Sequence, residues 1–257
     1  MTKQRLDQLL TAKGLVASRS QAESWIGLGK VTVDGKIARK SGQFVNVNAD
    51  IQLTADEKFV SRAGLKLASV AKLLNVDFAN KTVLDVGSST GGFTDYALQH
   101  GASKVIAVDV GTDQLHPSLR GNKRIELHEQ TDIRDVIVGK FKKGDMKYGG
   151  SRMLIDQPAD IVVIDVSFIS LREILPHIAR ELSNNHTQIV AMVKPQFEAG
   201  RDQVNKGIIK NDAVRRQILR DFEAWSKQYF VTVDKRDSEV AGSKGNRERF
   251  YLLKTVS

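Results

Sequence analysis

The sequence predicts an α/β fold: a doubly wound, mostly parallel sheet with an antiparallel edge hairpin, preceded by a small α+β unit. Three observations carry this. From residue 82 onward, short β-branched runs alternate with helical segments, the pattern of parallel strands joined by crossovers. The first strand, Val83-Leu84-Asp85-Val86, runs into Gly87-Ser88-Ser89-Thr90-Gly91-Gly92-Phe93-Thr94, a small-residue turn that opens a helix. The last two strands, Phe230 to Asp234 and Arg247 to Leu253, lack a helix between them and suit an edge hairpin.

Composition narrows the class of molecule. A chain of 257 residues, 41% hydrophobic and 27% charged, suits one large or two small globular domains. Cysteine is absent, which excludes a disulfide framework, a cysteine zinc site and a thiol nucleophile, and fits an intracellular, cytoplasmic setting. No apolar signal segment opens the chain, and no run approaches the length of a membrane span. The formal charge of +9 favours a polyanionic partner. His100, His116, His128, His177 and His186 show no metal-ligand spacing, so no metal is expected.

In the first unit, Arg5 to Leu15 places Leu6, Leu9 and Leu10 on one helical face, with Gly14 as a stop. Ser18 is placed to cap a second helix, Arg19 to Leu28, that turns Ala22, Trp25 and Ile26 inward. A strand at Val31 to Val33, an Asp34-Gly35 turn and extended residues at 44–47 and 50–53 complete it. Residues 1–55 form this unit, 56–60 a polar linker, and 61–257 the second domain. Val136 to Pro158 is polar and glycine-bearing and reads as a long surface loop. Ser170 is placed to cap a helix reaching Leu182. Gln188 to Val193 is a buried strand that delivers Lys194, and Pro195 stops it there.

The glycine turn predicts a nucleotide-type pocket at the sheet's carboxyl edge. Glycines at 87, 91 and 92 give G-x-x-x-G-G, with Ser89 where the dinucleotide pattern needs its second glycine. That argues for a ligand without a pyrophosphate, and S-adenosylmethionine fits better than NAD. Asp109 ends the next strand, placed to accept both hydroxyls of an adenosine ribose. Asp132, after the strand at Arg124 to His128, either meets an adenine amino group or caps a helix. The cofactor set is therefore Asp85, Gly87, Ser88, Ser89, Gly91, Gly92, Phe93, Asp109, Val110, Asp132 and Asp165. Asp165 and Lys194 lie at strand ends facing this pocket. An acid and a lysine there make at least a salt bridge. Two lysines and two acids converging would tune one amine toward a base, since a free lysine titrates near about 10.4.

Two family resemblances follow from ordered motifs. Arg5-Leu6-Asp7, Ser18-Arg19-Ser20-Gln21-Ala22, Ile26-Gly27-Leu28-Gly29-Lys30-Val31 and Val33-Asp34-Gly35 resemble the RNA-binding domain first described in ribosomal protein S4. That resemblance implies docking onto structured RNA through basic residues, with Arg5, Arg19, Lys30, Lys36 and Arg62 as candidates. Nearly end to end, the chain resembles the hemolysin A (TlyA) family of ribosomal RNA 2′-O-methyltransferases, with an FtsJ-like catalytic domain. The motifs are Ser61-Arg62-Ala63-Gly64-Leu65-Lys66-Leu67, the 84–94 turn, Asp109-Val110-Gly111, Asp165-Val166-Ser167-Phe168-Ile169-Ser170, Val193-Lys194-Pro195-Gln196-Phe197-Glu198 and Gly245-Asn246-Arg247-Glu248. The resemblance implies a Rossmann-like class I methyltransferase sheet and a tetrad of Lys66, Asp165, Lys194 and Glu248. In it, Lys194 takes the proton from a cytidine 2′-hydroxyl in ribosomal RNA within subunits. The 136–158 loop is longer than the family pattern, and the chain ends soon after its last strand, which favours the large-subunit-only type.

Three other readings compete. An RNA-binding protein with an inactive methyltransferase fold is disfavoured by the intact tetrad. A nicotinamide oxidoreductase is disfavoured by the missing middle glycine. A pore-forming hemolysin is disfavoured by the lack of an apolar membrane segment.

Overall fold

The computed structural model describes residues 2–16, 19–27, 29–54, 59–139, 153–205, 207–209, 211–240, 242 and 245–256. The expected cap at Ser18, most of the 56–60 linker, and positions 243 and 244 of the last turn lie outside them.

The first unit contains β1 (Lys3–Arg5), α1 (Leu6–Ala12), α2 (Arg19–Gly27), β2 (Val31–Val33), β3 (Lys36–Ile37), β4 (Phe44–Asn46) and β5 (Ile51–Leu53). Strand β1 was not legible in the sequence. It exists because Lys3 to Arg5 pairs antiparallel with Asn46 to Phe44, a partner that helical periodicity does not report. The β2–β3 turn places Asp34 and Gly35 at φ 49° and 74°, the left-handed pair that Asp-Gly supplies. Asp7 is buried under this unit. Its carboxylate accepts hydrogen bonds from Arg5 Nε at 3.1 Å, Arg5 Nη2 at 2.9 Å and Arg19 Nη2 at 2.9 Å. The hydrogen bond from Arg5, aided by Arg19 and opposed by burial, holds Asp7 well below the ordinary carboxylate range.

The second unit begins with α3 (Arg62–Ala71), β6 (Thr82–Val86), α4 (Gly92–Gln99), β7 (Lys104–Val108) and β8 (Ile125–His128). There follow β9 (Val136–Val138), β10 (Met153–Ile155), β11 (Ile161–Ile164), α5 (Leu175–His177) and β12 (Gln188–Val193). It closes with α6 (Pro195–Glu198), α7 (Asp212–Ser226), β13 (Phe230–Asp237) and β14 (Arg249–Thr255). Seven strands form one sheet in the order β13-β14-β12-β11-β6-β7-β8. The run from β12 to β8 is parallel, and β14 and β13 are added antiparallel. The chain reverses its direction of travel across the sheet between β6 and β11, which puts a crevice at their carboxyl ends.

Alternation along the strands builds a core on each face. Val83, Val105, Val163, Val190 and Phe250 pack on the side that continues into the first unit. Leu84, Ile106, Val162, Ile189 and Tyr251 pack on the other. Two expectations are corrected here. The ends of the 136–158 loop pair as parallel strands, Val136 opposite Met153, and Val136 is buried. Each run is three residues long among polar neighbours, so only the pairing reveals it; residues 140–152 lie outside the described residues. The helix after Ser170 is broken into a 3₁₀ turn at Leu171–Glu173, α5, and a π turn at Ile178–Leu182. Pro176 near its start removes a backbone donor. Ser170 Oγ does cap it, accepting from Arg172 N at 3.1 Å. Among the described residues, no helix is long and apolar enough to cross a membrane.

The entry to the second unit is packed without slack. A Cβ on Gly64 would lie 2.5 Å from Phe59 Cβ and 2.9 Å from the Gly92 carbonyl oxygen. Alanine gains about 1 kcal/mol of helix propensity over glycine, while overpacking against backbone costs about 1–3 kcal/mol or more. Gly64→Ala should therefore lose net stability, by about 1–2 kcal/mol. Urea unfolding checks this, and an unchanged midpoint would show that the turn yields freely.

Candidate active site

The site is built where β6, β7, β11 and β12 end. Asp85 lies within β6, and Asp109, Asp165 and Lys194 follow β7, β11 and β12 directly. Phe93 and Gly92 open α4, while Gly87 to Gly91 form the turn between. Two glycines are required by neighbouring protein. Gly87 has φ 79°, and a Cβ there would lie 2.9 Å from the Asp165 carbonyl oxygen. A Cβ on Gly92 would overlap Ser61 Oγ and Ala63 Cβ. The glycines thus bring strands and α3 together around the pocket, rather than serving only a ligand's approach. Ser89 takes φ 46° in place of a glycine, and its N–H donates to Asp109 Oδ2 at 2.8 Å.

Three adjoining cavities occupy the crevice. The first is lined by Ala63, Asp85, Ser88, Phe93, Asp165 and Lys194 among others. Asp85 is fully buried; its Oδ2 accepts from Thr94 Oγ1 at 2.6 Å, while its Oδ1 and Ser88 Oγ have no hydrogen-bond partner among the described residues. Burial pushes the Asp85 carboxyl up to about 7, with the nearby Asp165 charge adding to this and the Thr94 hydrogen bond opposing it.

The second cavity, about 470 Å³, is lined by Asp109, Val110, Gln114, Asp132, Ile133 and Ile169 among others. Asp109 Oδ1 accepts from Gly111 N at 2.7 Å, so backbone donors on both oxygens hold the carboxylate at the rim. Val110 is 71% exposed there. Of the two alternatives for Asp132, the capping role is present. Asp132 caps the turn at Ile133–Asp135 and lines the cavity, with its oxygens paired to Arg134 at 2.9 and 2.6 Å. The Arg134 hydrogen bond holds Asp132 below its ordinary pKa.

The third cavity, about 370 Å³, holds Lys66, Lys194, Gln196, Phe197, Asn246 and Glu248. The four charged groups meet as two pairs. Lys194 Nζ lies 2.6 Å from Asp165 Oδ1, and Lys66 Nζ donates to Glu248 Oε1 at 3.0 Å. Glu248 is 2% exposed and its Oε2 has no hydrogen-bond partner among the described residues. The sequence reading assigned no role to Ser167 or Phe168. Ser167 borders all three cavities and accepts from Lys194 Nζ at 2.7 Å. Phe168, at φ 65° and 92% exposed, stands against Phe197 with ring centroids 5.3 Å apart. The polar and aromatic residues directly after an acid-ending strand were the available signal.

The basic candidates of the first unit lie apart from these cavities' linings. Lys30 and Lys36 are exposed, whereas Arg5 and Arg19 are bound to Asp7. Arg62 is half-buried at the start of α3.

A doubly wound sheet whose acid-tipped strands surround a glycine turn beside a charged cavity defines a methyltransferase class of fold. The family model of FtsJ-like methyltransferases matches residues 59–255, and that of the S4 domain matches residues 4–51. The chain belongs to the FtsJ-like methyltransferase family and carries an S4 domain before the catalytic one. Hemolysin A of Brachyspira hyodysenteriae is 38% identical, over 95% of this chain and 97% of that protein. The protein named 16S/23S rRNA (cytidine-2′-O)-methyltransferase TlyA of Mycobacterium tuberculosis is 35% identical, over 98% of this chain and 90% of its own. A solved structure described as a hemolysin of Streptococcus thermophilus is similar with a TM-score of 0.68 at 35% identity. It is matched over 100% of this chain and 90% of that one.

The state of Asp85 gives a pH test with a definite sign. Its carboxyl is raised in the folded chain, so ionisation is penalised there. Without ligand, stability is lost as pH rises from about 4, the unfolded value, through about 7. Asp85→Asn keeps an acceptor for Thr94 and removes that penalty. It should raise Tm by several degrees at pH 8, with the gain fading toward pH 4; a gain independent of pH would contradict burial as the cause.

Proposed function

We propose that the protein transfers a methyl group from S-adenosylmethionine to the ribose 2′-oxygen of a cytidine in ribosomal RNA. The observation that carries this reading is that Lys66, Lys194 and Glu248 line one cavity, while Asp165, paired with Lys194, lines the two beside it, one of them suited to adenosine. The relative from Mycobacterium tuberculosis bears the name of that activity, which supports the choice of nucleoside and RNA.

The residues fit the cofactor. Asp109 offers its remaining lone pairs to ribose hydroxyls, and Val110 and Ile133 offer apolar surface to an adenine. Asp132 stands at the same wall. Asp85 Oδ1 and Ser88 Oγ are buried acceptors without partners at the inner end, where an ammonium would satisfy them. Bound S-adenosylmethionine supplies an electrophilic sulfonium methyl, so no metal is required.

The chain's own residues handle the acceptor. Lys194 takes the 2′-hydroxyl proton onto Nζ as the oxygen approaches the methyl carbon, and Asp165 holds that amine at the junction of the cavities. Lys66 and Glu248 line the same cavity as Lys194, where a cation and a carboxylate orient the ribose and balance the charge that moves. Phe168 presents an exposed aromatic face for a base unstacked from the RNA. The S4 domain docks on structured RNA by phosphate contacts, with ribosomal subunits as partner and the cytoplasm as setting.

Lys194→Ala should lower methyl transfer by about 10²–10⁴-fold while S-adenosylmethionine affinity stays within about threefold. Labelled methyl transfer to purified small subunits, large subunits and naked ribosomal RNA checks this together with calorimetry. Full activity in the variant would sink the base assignment, and the absence of label from any RNA with the native chain would favour an inactive, RNA-binding role.

The RNA-docking face needs probes chosen from the structure. Reversing Arg19 sets a second acid against buried Asp7, so its effect would mix folding with binding. Lys30→Glu and Lys36→Glu leave that cluster intact. Each should weaken binding and flatten the dependence of log K on log salt by about 1 unit. An unchanged slope would remove those lysines from the phosphate contacts.

A further inference from the structure

We propose that Glu198 is a positioning residue that holds the Phe168 ring where a base unstacked from the RNA meets it. The inference deepens the reading of Phe168 as that ring and rests on it. Strands β11 and β12 pair side by side as far as Ile164 and Ala191, and their chains leave the sheet at Asp165 and Lys194. Beyond the sheet, side chains keep the two segments in step. Lys194 Nζ donates to Ser167 Oγ at 2.7 Å, and the Phe168 and Phe197 rings lie 5.3 Å apart. Glu198 closes the far end: its Oε2 accepts from Ser170 Oγ at 2.6 Å and its Oε1 from Leu171 N at 2.7 Å. The hydrogen-bonded residues are 27 or 28 positions apart at both ends, so the segments run alongside each other with the two rings between. Phe168 lines the second and third cavities and Phe197 the third, so the pair borders the space for the acceptor nucleotide.

The ring contact is the weak member of this set. Phe168 is 92% exposed and sits at φ 65°, a left-handed conformation that a non-glycine residue holds only when its surroundings impose it. One ring tilted against another in water is too small a contact to impose it. The Glu198 carboxylate is better able to. Its side chain is 1% exposed, and hydrogen bonds to an ionised acceptor are stronger than those between neutral groups. It grips the chain at Ser170 and Leu171, just after the Phe168 turn. On its own side, Phe197 N donates to the Lys194 carbonyl oxygen at 2.9 Å, so α6 is one tight turn that carries Phe197 and Glu198 together. The same carboxylate therefore sets the places of both rings. Burial pushes the Glu198 carboxyl up, and the bonds from Ser170 and Leu171 oppose this. An apolar side chain would fill the space without that penalty. What the carboxylate adds is two acceptors on one rigid plane, which reach a hydroxyl and a backbone N–H at once. Countercharge comes from Arg172, whose Nε lies 3.6 Å from Glu198 Oε2 and whose guanidinium also covers the Trp225 ring.

The test is a double-variant cycle of Glu198→Ala and Phe168→Ala, with Glu198→Gln as the conservative change. Single-turnover methyl transfer to ribosomal subunits is measured at saturating S-adenosylmethionine, and cofactor affinity by calorimetry. Phe168→Ala should slow transfer by roughly 10–100-fold, the worth of one stacked base. Glu198→Ala should slow it by roughly 5–30-fold with cofactor affinity within about twofold, and the double variant should be within about twofold of Phe168→Ala alone. In Glu198→Gln, Oε1 accepts from Leu171 N and Nε2 donates to Ser170 Oγ, so the rate should recover to within about threefold of native. A native rate in Glu198→Ala would overturn the proposal. So would losses that multiply in the double variant, a matching loss of cofactor affinity, or a glutamine variant as slow as alanine. Should circular dichroism show Glu198→Ala unfolded, Ser170→Ala replaces it in the cycle. That variant removes one of the two bonds and should slow transfer about threefold, and multiplying losses there would equally overturn the proposal. A native rate in Phe168→Ala would instead overturn the reading of that ring, so the two failures are told apart.

Discussion

The site depends on how closely β6 and β11 approach where they end. Gly87 leaves no room for a side chain against the Asp165 carbonyl, and the Asp165 N–H donates to the Val86 carbonyl at 3.0 Å. That contact places Asp165 between the glycine turn and Lys194. From there one carboxylate borders the cofactor-type cavities and holds the amine of the next strand end.

Electrostatics in this crevice are arranged at a cost in stability. Asp85 is buried with one oxygen unpartnered, beside the charge of Asp165, and its carboxyl is pushed up to about 7. An isolated fold would do better with a neutral group, as buried ions without partners are costly. Asp237 is the structural contrast. Burial alone would raise it, but hydrogen bonds from Arg249 at 2.6 Å and Arg215 at 2.7 Å outweigh that and hold it at about 2. Its contribution to stability is present above the unfolded carboxylate range and is lost as pH falls toward about 2. Arg215 Nε also donates to the Arg247 carbonyl oxygen, which ties α7 to the residue just before Glu248. One acid stabilises the sheet edge, and the other is buried beside the first cavity at a cost.

The first unit shows why a basic residue in a motif is not automatically a contact. Arg5 and Arg19 were legible as positive charges on an RNA-binding type of domain, but both guanidiniums close over Asp7. They lock β1 and α1 to α2, and so shape the surface that other charges occupy. Lys30 and Lys36 are exposed, as Arg19 is, but neither is paired with Asp7. The sequence alone does not separate these roles, since a motif lists a charge without its counter-charge.

Local chemistry determined a good deal. The β-branched runs, the Asp34-Gly35 turn and the glycine turn after Asp85 follow from backbone sterics and side-chain periodicity, which act over a few residues. They predicted the parallel sheet, its edge hairpin, and acids at the ends of strands. Pairings between distant segments were decided only in three dimensions. β1 on β4 and β9 on β10 each join runs of three residues, too short to carry a period of their own. The glycines looked like allowances for a ligand, yet Gly87 and Gly92 are set by Asp165, Ser61 and Ala63, residues far away in sequence. The division of the charged residues into Lys194–Asp165 and Lys66–Glu248, with Ser167 on the shared wall, likewise belongs to the tertiary structure. Spacing along a chain places residues on strand ends; the distances between those ends come from how the sheet twists and packs.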